Sequence, residues 1–458
     1  MEKTRILILG GGFGGIYAAL ELERRRDADL EVTLVSEENF FLFTPMLHEV
    51  AASDLDLTAI VSPIRRLLRH VRFFSGSVTR IDLAARQIEV VHGFDRHAHV
   101  LEYDHIVFGL GSVTNFFNIP GLAGRALTMK SLADAAQLRN RLIAHLEEAD
   151  SECAARDRDP LVTFVVAGGG FAGVETIGSI HDFLHSALRH YPNLRKENIR
   201  VVLVHPGDYV LPELGESLGR YTGGQLERRG IEVRVNTKVE AVTPREVVLS
   251  DGTRIPCFTL VWTAGTATHP LLGTLDLPKE RGRLKVDATM RVEGCDGIWA
   301  LGDCAMIPDI NQPGSFHPPT AQHASREGKV LAGNVARAAR RESLVPFRFK
   351  TLGLLASIGH RTGVARILGM NFSGFVAWWL WRGIYLSKLP RTEKKLRVAL
   401  EWLLDMFFAK DFVQYQRDAR QAATDGAGLQ TPTPVRAACD IQTETMGPAR
   451  EAGVVSVR

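Results

Sequence analysis

The glycines that could do chemistry in this chain form two copies of one pattern, G-x-G-x-x-G, 158 residues apart. Each copy follows an apolar, strand-like run and opens a helix-like one. The two sets are Gly10, Gly12 and Gly15, and Gly168, Gly170 and Gly173. In this context the glycines permit a tight turn, a close approach of backbone to a pyrophosphate, and packing of helix on strand. The helix N-terminus adds N–H groups and a positive dipole. Two such turns in one chain predict two bound dinucleotides and electron transfer between them.

A second feature, Gly302-Asp303, ends the strand-like run 297–301. An aspartate at the carboxyl end of a strand can accept hydrogen bonds from the hydroxyls of a ribityl chain. The same dipeptide is also a common turn, and its place downstream of the first glycine pattern is what favours the flavin interpretation. We therefore expect FAD at the first turn, together with Phe13 and Gly14, and a nicotinamide dinucleotide at the second, together with Phe171.

The residue after the second strand of each unit should contact a ribose. In the first unit Glu37 is the expected acceptor for the 2′-hydroxyl, next to Ser36. In the second unit the position falls on His205, where a carboxylate would select NADH and repel the 2′-phosphate of NADPH. A histidine neither selects NADH nor repels the 2′-phosphate clearly, and no arginine follows closely to bind that phosphate. NADH is the expected substrate, with NADPH as the alternative.

Glu175 lies two residues beyond Gly173, which predicts a place in the first turn of the second dinucleotide helix. An acid there can simply complement the helix dipole. It can also lie near the nicotinamide and orient it for hydride transfer, which needs positioning more than it needs a protein acid or base. The residues alone leave both interpretations open.

Alternating strand and helix signals predict an α/β chain with two Rossmann-like domains and mainly parallel sheets. Helices are expected at 14–26, 132–149 and 171–190, and strands at 30–35, 105–108, 200–204 and 298–300, among others. The expected domains are an FAD domain in two parts, a NAD(P)H domain between them, C-terminal membrane-interface helices and a disordered tail: 1–120 and 286–345, 121–285, 346–420 and 421–458.

Composition excludes several classes of protein. The chain is 45% apolar and 23% charged, as globular domains are, and its net charge of +3 gives no reason to expect a nucleic-acid partner. No C-x-x-C pair is present, which argues against a dithiol redox centre, and no metal site is expected. The first strand follows Met1 almost at once, which leaves no room for a targeting peptide and predicts a cytoplasmic location.

The segment 374–389 carries three of the six tryptophans, and basic residues and a second apolar face follow it. Residues 345–420 contain 13 Lys or Arg and 5 Asp or Glu. The apolar runs are shorter than the roughly 20 residues needed to span a bilayer. Aromatic residues beside basic ones are typical of a helix that lies in the membrane interface. The alternative is that this face packs on the body of the protein or on a second subunit.

Four motifs resemble those of the type II, non-proton-pumping NADH:quinone oxidoreductases. They are the segments 39–47 (NFFLFTPML), 170–176 (GFAGVET), 300–303 (ALGD) and 318–324 (PPTAQHA), followed by the tryptophan-rich basic segment. The resemblance extends from Thr4 to about Gln414. It implies a flavoprotein with FAD and NADH sites, held peripherally on the cytoplasmic face of the cell membrane, that passes electrons to a membrane quinone. A homodimer is left open.

The resemblance also implies roles for particular residues. The segment containing Ala321 and Gln322 would begin a helix beside the flavin, and Gln322 would line the quinone site. Glu175 would position the nicotinamide. The other residues expected at the cofactor and acceptor face are Thr44, Pro45, Gly111, Gly265 and His323. His323 could deliver protons to the reduced quinone, since a histidine titrates near neutrality, or it could be a packed or solvent-facing side chain.

The chain departs from the family pattern at Arg326, where a second glutamine is usual. A cation there could favour an anionic form of the acceptor, or it could simply pair with Glu327. Cys304, next to Asp303, is expected to be a small apolar residue behind the flavin, because no second cysteine is placed to form a polysulfide bridge. The rival functions are a related reductase with a non-quinone acceptor, a sulfide:quinone oxidoreductase, and a flavin-based redox sensor that binds partners.

Overall fold

The computed structural model describes residues 3–408 and 410–414. The tail predicted at 421–458 lies outside these residues. The N-terminal part contributes ten strands and three helices: β1 (Thr4–Leu9), α1 (Phe13–Arg25), β2 (Leu30–Ser36), β3 (Phe40–Leu42), α2 (Leu47–Ala51), β4 (Val61–Pro63), α3 (Ile64–Leu67), β5 (Arg72–Ser75), β6 (Ser77–Asp82), β7 (Gln87–His92), β8 (His97–Glu102), β9 (His105–Phe108) and β10 (Ser112–Thr114).

The middle of the chain contributes ten strands and five helices: α4 (Leu132–Ser151), α5 (Ala155–Arg158), β11 (Thr163–Ala167), α6 (Phe171–Ala187), β12 (Arg200–Val204), α7 (Glu216–Arg228), β13 (Glu232–Arg234), β14 (Val239–Val242), β15 (Glu246–Leu249), β16 (Arg254–Pro256), β17 (Thr259–Trp262), β18 (Thr266–Thr268), α8 (Pro270–Gly273), β19 (Lys279–Glu280) and β20 (Arg283–Lys285). The last part contributes β21 (Ile298–Ala300), β22 (Ala305–Met306), α9 (Ala321–Ala339), β23 (Gly353–Gly359), β24 (Thr362–Ile367), β25 (Met370–Ser373), α10 (Gly374–Lys388) and α11 (Thr392–Leu404).

Two parallel sheets organise the molecule. The first has the order β21-β9-β1-β2-β5, and the second has the order β13-β12-β11-β17. Strands such as β9 and β11 are buried along their whole length, as expected for parallel strands covered on both faces. The predicted α/β class with two Rossmann-like domains is confirmed. Smaller, mostly antiparallel sheets are attached to the two units that these parallel sheets form.

The chain leaves the first sheet after β9 and returns to it with β21, so both of its parts build one unit. Helix α9 then packs along α1. This connectivity agrees with an FAD domain in two parts, although the domain bounds themselves stay a prediction.

The C-terminal part differs from the expectation of helices alone over 346–420. It begins with a three-stranded antiparallel sheet, β23-β24-β25, and only then forms α10 and α11. Sheet and helices pack together, and β23 lies against α6 of the second unit. The strands were missed because their apolar runs are short and interrupted by glycines such as Gly359 and Gly363, whereas the aromatic residues of α10 dominate the local pattern.

Glycine allows α1 and α9 to approach closely. A Cβ on Gly328 of α9 would lie 2.5 Å from the Gly14 carbonyl oxygen and 2.8 Å from the Ala18 nitrogen. These are backbone atoms of α1, which cannot move aside without shifting the helix. The contact therefore fixes the spacing between the two helices that flank the first glycine turn.

We expect Gly328→Ala to lower the free energy of unfolding by about 1–3 kcal/mol, the usual range for overpacking a tight contact. Urea denaturation of the full chain measures it. Gly383→Ala in α10 is the matched control, because nothing lies within 4 Å of its added Cβ. That variant should be neutral or stabilising, since alanine favours helix by about 1 kcal/mol. Equal stability of the two variants would contradict the close approach.

Candidate active site

The first glycine turn has the geometry that its spacing predicts. Gly10 has a φ of +105°, a conformation that other residues rarely adopt. A Cβ on Gly15 would lie 1.9 Å from the Gly10 carbonyl oxygen, so helix α1 packs directly on the turn. A Cβ on Gly12 would meet nothing within 4 Å. The middle glycine thus faces open space at the start of α1.

The second turn repeats the first at the start of α6. Gly168 has a φ of +121°, and a Cβ on Gly173 would lie 1.7 Å from the Gly168 carbonyl oxygen. Around Gly170 the nearest atom to an added Cβ is Glu213 Oε1, at 3.9 Å. In both turns the first glycine has a positive φ, the second faces open space, and the third packs against the carbonyl of the first.

Both helix starts fit a bound pyrophosphate. Helix α1 begins after Gly12 and α6 after Gly170, and no side chain caps either helix among the residues that the structure describes. The first N–H groups of a helix have no partner within the helix, and an anion is a good partner for them. Open space and uncapped N–H groups together suit the phosphates of FAD at α1 and of NADH at α6.

Asp303 follows β21 at the carboxyl end of the first sheet, where two residues that the sequence did not indicate, Ser112 and Lys130, form a chain of hydrogen bonds to it. Ser112 donates from Oγ to Asp303 Oδ2 at 2.6 Å, and Lys130 donates from Nζ to Ser112 Oγ at 2.9 Å. Burial lowers the pKa of Lys130, and the charge of Asp303 acts against this. Gly111 and Gly302, both with a φ of +67°, shape the backbone around this group. Serine and lysine thus hold the carboxylate in one orientation.

The two ribose positions differ. Glu37 comes directly after β2, is exposed, and accepts from Ser77 Oγ at 2.5 Å, so its carboxylate is held at the start of β6. His205 comes directly after β12 and is half-buried, and its Nδ1 accepts from the Gly169 N–H at 3.1 Å. Burial lowers the pKa of His205, which favours the neutral ring. The His205 ring thus contacts the second glycine turn, and its role toward a ribose stays a prediction.

Next to His205, a cavity of about 600 Å³ opens at the second turn. It is lined by Gly168, Val204 and Pro206 and, from the following strands, by Lys238, Glu240 and Trp262, among others. Phe117 covers another side, and its ring lies against Gly265, where a Cβ would come within 2.4 Å of it. The cavity lies where a dinucleotide bound at α6 would extend.

Glu175 is the fifth residue of α6, so the expected place in the first turn is wrong. It is buried, and its Oε1 accepts from Trp381 Nε1 at 3.1 Å and from the Ser357 N–H at 3.3 Å. Burial raises the pKa of Glu175 to about 8, and Glu49 adds to the rise. The carboxyl group is therefore protonated at neutral pH, and it contacts the C-terminal unit rather than the helix terminus. Its role toward nicotinamide stays a prediction.

Helix α9 begins at Ala321 as expected, with Thr320 as its N-cap. Both polar atoms of the Gln322 amide bond to the C-terminal unit: Nε2 donates to the Gly353 carbonyl at 3.1 Å, and Oε1 accepts from the Leu352 N–H at 3.0 Å. The side chain thus joins the first unit to the start of β23. Any contact with a quinone stays a prediction.

The structure argues against proton delivery by His323. Its side chain is 1% exposed and lies between His317 and Phe349, with Nδ1 2.8 Å from Thr320 Oγ1. Burial, with smaller effects of His317 and Arg326, lowers the pKa of His323 to about 4, so the ring is neutral at neutral pH. Of the two sequence interpretations, the packed histidine is the one that the geometry supports.

Arg326 does not pair with Glu327, contrary to one of the alternatives. Its guanidinium lies 4.2 Å from the centre of the Phe349 ring and donates to the Gln322 carbonyl at 2.8 Å. Glu327 is buried on the other side and accepts from the Gly302 N–H at 2.8 Å. Arg326 thus supports the start of α9 through a cation–π contact.

Thr44, Pro45 and Cys304 complete the set of expected residues. Thr44 and Pro45 form a single 3-10 turn that leads into α2. Cys304 is buried, its thiol contacts the Phe108 and Leu301 carbonyls, and burial raises its pKa to about 11. Such a thiol is unreactive, as expected for a packing residue. Within residues 3–408 and 410–414, no group of three or more His, Cys, Asp or Glu is arranged to hold a metal ion.

Comparisons with known proteins agree with this geometry. The model of the pyridine nucleotide-disulphide oxidoreductase family matches residues 4–328, and that of the NDH2 C-terminal domain matches residues 352–411. The type II NADH:quinone oxidoreductase of Mycobacterium tuberculosis is 31% identical, over 88% of this chain and 88% of its own length. The chain belongs to the type II NADH:quinone oxidoreductase family.

Other relatives and solved structures extend the family likeness. The demethylphylloquinone reductase of Synechocystis is 32% identical, over 88% of this chain and 96% of its own. NDH2 of Plasmodium falciparum, solved with NADH, shares the fold with a TM-score of 0.84 at 21% identity, covering 90% of this chain and all of its own. FAD and NADH are the cofactors of this family.

The buried Glu175 generates a prediction on stability. Its pKa is about 8 in the folded chain, against an ordinary value of 4.5, so the folded state keeps a proton that the unfolded state loses between these pH values. Stability should therefore fall as the pH rises from about 5 to about 8, and Glu175→Gln should reduce this slope.

Thermal unfolding across that pH range measures the slope. Glu246→Gln is the control, because the Arg254 side chain lowers the pKa of this partly exposed acid. Replacing Glu246 should leave the fall in stability above pH 5 unchanged. If Glu175→Gln and the parent chain declined equally, Glu175 would not be a neutral buried acid.

Proposed function

We propose that this protein is a peripheral membrane flavoenzyme that oxidises NADH and reduces a membrane quinone through FAD, without pumping protons. The observation that carries the proposal is the presence of two uncapped glycine turns, each at a parallel sheet, joined to a C-terminal unit of the NDH2 type. Relatives that reduce quinones, by their names, cover nearly the whole chain.

Each turn has a separate task. The first holds the FAD pyrophosphate at the start of α1, and Asp303, oriented by Ser112, accepts from the ribityl hydroxyls. The second holds NADH at the start of α6, with its adenosine side toward His205. Bound FAD supplies the electron chemistry, because its ring accepts a hydride and releases the electrons to a quinone. The residues of the chain bind the reactants and position them.

The C-terminal unit offers a surface suited to a lipid membrane. Large apolar side chains of α10, α11 and the following residues are exposed: Phe375, Val376, Trp379, Leu396, Leu400, Leu403, Phe407 and Phe408. Lys388 and Arg397 are exposed among them. No helix in the described part of the chain is long and apolar enough to cross a membrane. We assign this surface, called the apolar face, to the cytoplasmic side of the cell membrane.

Helices α10 and α11 each have a packed side and an exposed side. The two sequence interpretations of this segment, packing on the body and contact with a membrane, therefore apply to different sides. Trp381 is fully buried and Trp402 nearly so, and both face the body of the protein, whereas Trp379 is 65% exposed. One side therefore packs and the other is free for lipid. The homodimer stays a prediction.

Rival functions have weaker support. Sulfide oxidation requires reactive cysteines, and Cys304 is a buried thiol with a raised pKa. A reductase for a soluble acceptor, or a redox sensor, would have no need for the apolar face. The likeness to sulfide:quinone oxidoreductase of Aquifex aeolicus, with a TM-score of 0.66 at 17% identity, is one of fold alone.

Anaerobic stopped-flow absorbance tests the proposed activity. NADH or NADPH is mixed with the purified protein, and a soluble quinone analogue follows. We expect the flavin band to bleach faster with NADH and to recover with the quinone. Bleaching without recovery would contradict quinone reduction and favour another acceptor or a sensor.

The apolar face generates a second test. We expect Leu400→Glu combined with Phe407→Glu to weaken binding to anionic phospholipid vesicles by at least about tenfold, because burial of each large apolar side chain contributes about 1.5–3 kcal/mol. Sedimentation with vesicles measures it. Phe94→Glu is the control, since Phe94 is as exposed but lies on the β7–β8 hairpin. Undiminished binding of the double variant would place the membrane surface elsewhere.

A further inference from the structure

The loop between β12 and α7, residues 205–215, lies against the second glycine turn. His205 Nδ1 accepts from the Gly169 N–H at 3.1 Å, and the Leu211 N–H donates to the Gly169 carbonyl at 2.7 Å. Leu211 has a φ of +52° and is fully buried, and Leu214 is fully buried as well. These contacts fix the backbone of the loop beside the turn.

Glu213 lies between the two buried leucines, and its carboxylate reaches the turn. Its Oε1 is the nearest atom to a Cβ added on Gly170, at 3.9 Å, and its charge acts on the His205 ring. The side chain is exposed, and within residues 3–408 and 410–414 it forms no hydrogen bond or ion pair. The carboxylate therefore lies at the edge of the open space before α6, where a ligand can contact it.

Other charged groups near the turn do not have this position. Lys238 and Glu240 line the cavity at the second turn and have opposite charges. Asp208 belongs to the same loop as Glu213, but it acts on an arginine of α7. Burial lowers the pKa of His205, so its ring is neutral near pH 7. Of these groups, Glu213 is the one whose charge lies next to the middle glycine of the turn.

A dinucleotide held at the start of α6 places its adenosine ribose at this loop, and the argument rests on that part of the proposed function. NADH has a 2′-hydroxyl there, which can donate to a carboxylate. NADPH has a phosphate with nearly two negative charges, which a carboxylate repels. The residue directly after β12 is His205, whose Nδ1 already accepts from Gly169. A selective site would therefore need an acid from elsewhere in the loop.

We propose that Glu213 supplies the carboxylate that the end of β12 lacks. It accepts from the 2′-hydroxyl of the NADH adenosine ribose and repels the 2′-phosphate of NADPH. Glu213 is thus a specificity-determining residue, and His205 is a support for the glycine turn.

The pyrophosphate of the ligand is also an anion, and α6 compensates for the nearby acid. The first N–H groups of α6 face the pyrophosphate, whereas Glu213 approaches from the loop. A hydrogen bond to an ionised acceptor is about twice as strong as one between neutral groups, so the ribose hydroxyl gains from the carboxylate. Repulsion of the pyrophosphate alone would weaken the binding of NADH and NADPH equally. The ratio of the two affinities therefore separates the two effects.

The test uses the full-length, FAD-loaded, oxidised protein and two probes that cannot reduce the flavin. The probes are ADP-ribose and ADP-ribose 2′-phosphate, which differ only in the phosphate, and isothermal titration calorimetry measures their binding. We expect the parent to prefer ADP-ribose by about tenfold or more, and Glu213→Gln to lose most of this preference. Glu213→Asp should keep part of it. A parent that binds the phosphorylated probe as tightly would overturn the proposal.

Asp208→Asn is the matched control, because it removes the same charge from the same loop. Asp208 is exposed and acts on Arg220 of α7. This variant should keep the preference of the parent. Loss of preference in Asp208→Asn but not in Glu213→Gln would overturn the proposal and place the ribose contact at Asp208. Equal strengthening of both probes by Glu213→Gln would also overturn it, since that result indicates repulsion of the pyrophosphate alone.

Flavin reduction provides a second readout. In anaerobic stopped-flow measurements at low nucleotide concentration, Glu213→Gln should lower the ratio of the rate constants for NADH and NADPH by about tenfold. The limiting rate at saturating NADH should change less than about twofold, because the adenosine ribose lies at the other end of the dinucleotide from the nicotinamide. A slower limiting rate with an unchanged ratio would overturn the proposal.

Failure of the Glu213 role and failure of the proposed function are distinguishable. Quinone enters none of these measurements, so a failure to reduce quinone would overturn the proposed function alone. If the parent binds neither probe, the placement of a dinucleotide at α6 is wrong and the role of Glu213 falls with it. If the parent prefers ADP-ribose and Glu213→Gln keeps that preference, only the role of Glu213 is wrong.

Discussion

Two hydrogen bonds from indole groups to buried carboxyl groups determine how the C-terminal unit sits on the rest of the protein. A buried indole N–H can only donate, and it must find an acceptor. Trp381 donates to Glu175 of α6, and Trp402 donates to Glu49 of α2. Because loss of such a partner leaves a buried polar group unsatisfied, α10 and α11 have one favoured position. The apolar face is thereby held in fixed relation to the second glycine turn.

Burial beneath the C-terminal helices also explains why the carboxyl groups of Glu49 and Glu175 are uncharged. Two buried carboxylates that repel each other are unfavourable to ionise, so the protonated state is the more stable one. Arg382 stacks between the Trp378 and Trp402 rings and reduces the penalty without removing it. Structure and proton binding are therefore linked, since the groups that hold the C-terminal unit are also the groups that carry exchangeable protons.

Local patterns in the sequence were sufficient for the two turns and the parallel strands. The bounds of β9, β12 and β21 match the predicted ranges, because continuous apolar runs between turn residues specify buried strands. The features that the sequence did not predict depend on tertiary contacts. Nothing near Glu49 in the sequence indicates that Trp402, 353 residues later, covers its carboxyl group. Likewise, part of the burial that keeps His323 neutral comes from Phe349, which lies beyond the end of α9, and β23 is stabilised mainly by β24 and α6.

The central claim is that electrons pass from NADH to a quinone held in a membrane, and one measurement tests it most directly. Purified full-length protein is added under anaerobic conditions to phospholipid vesicles with or without an embedded long-chain quinone, and NADH absorbance is followed. The account predicts one NADH oxidised per quinone, and with the empty vesicles no more than one per bound flavin. NADH oxidation limited to one equivalent per flavin in both samples would contradict it.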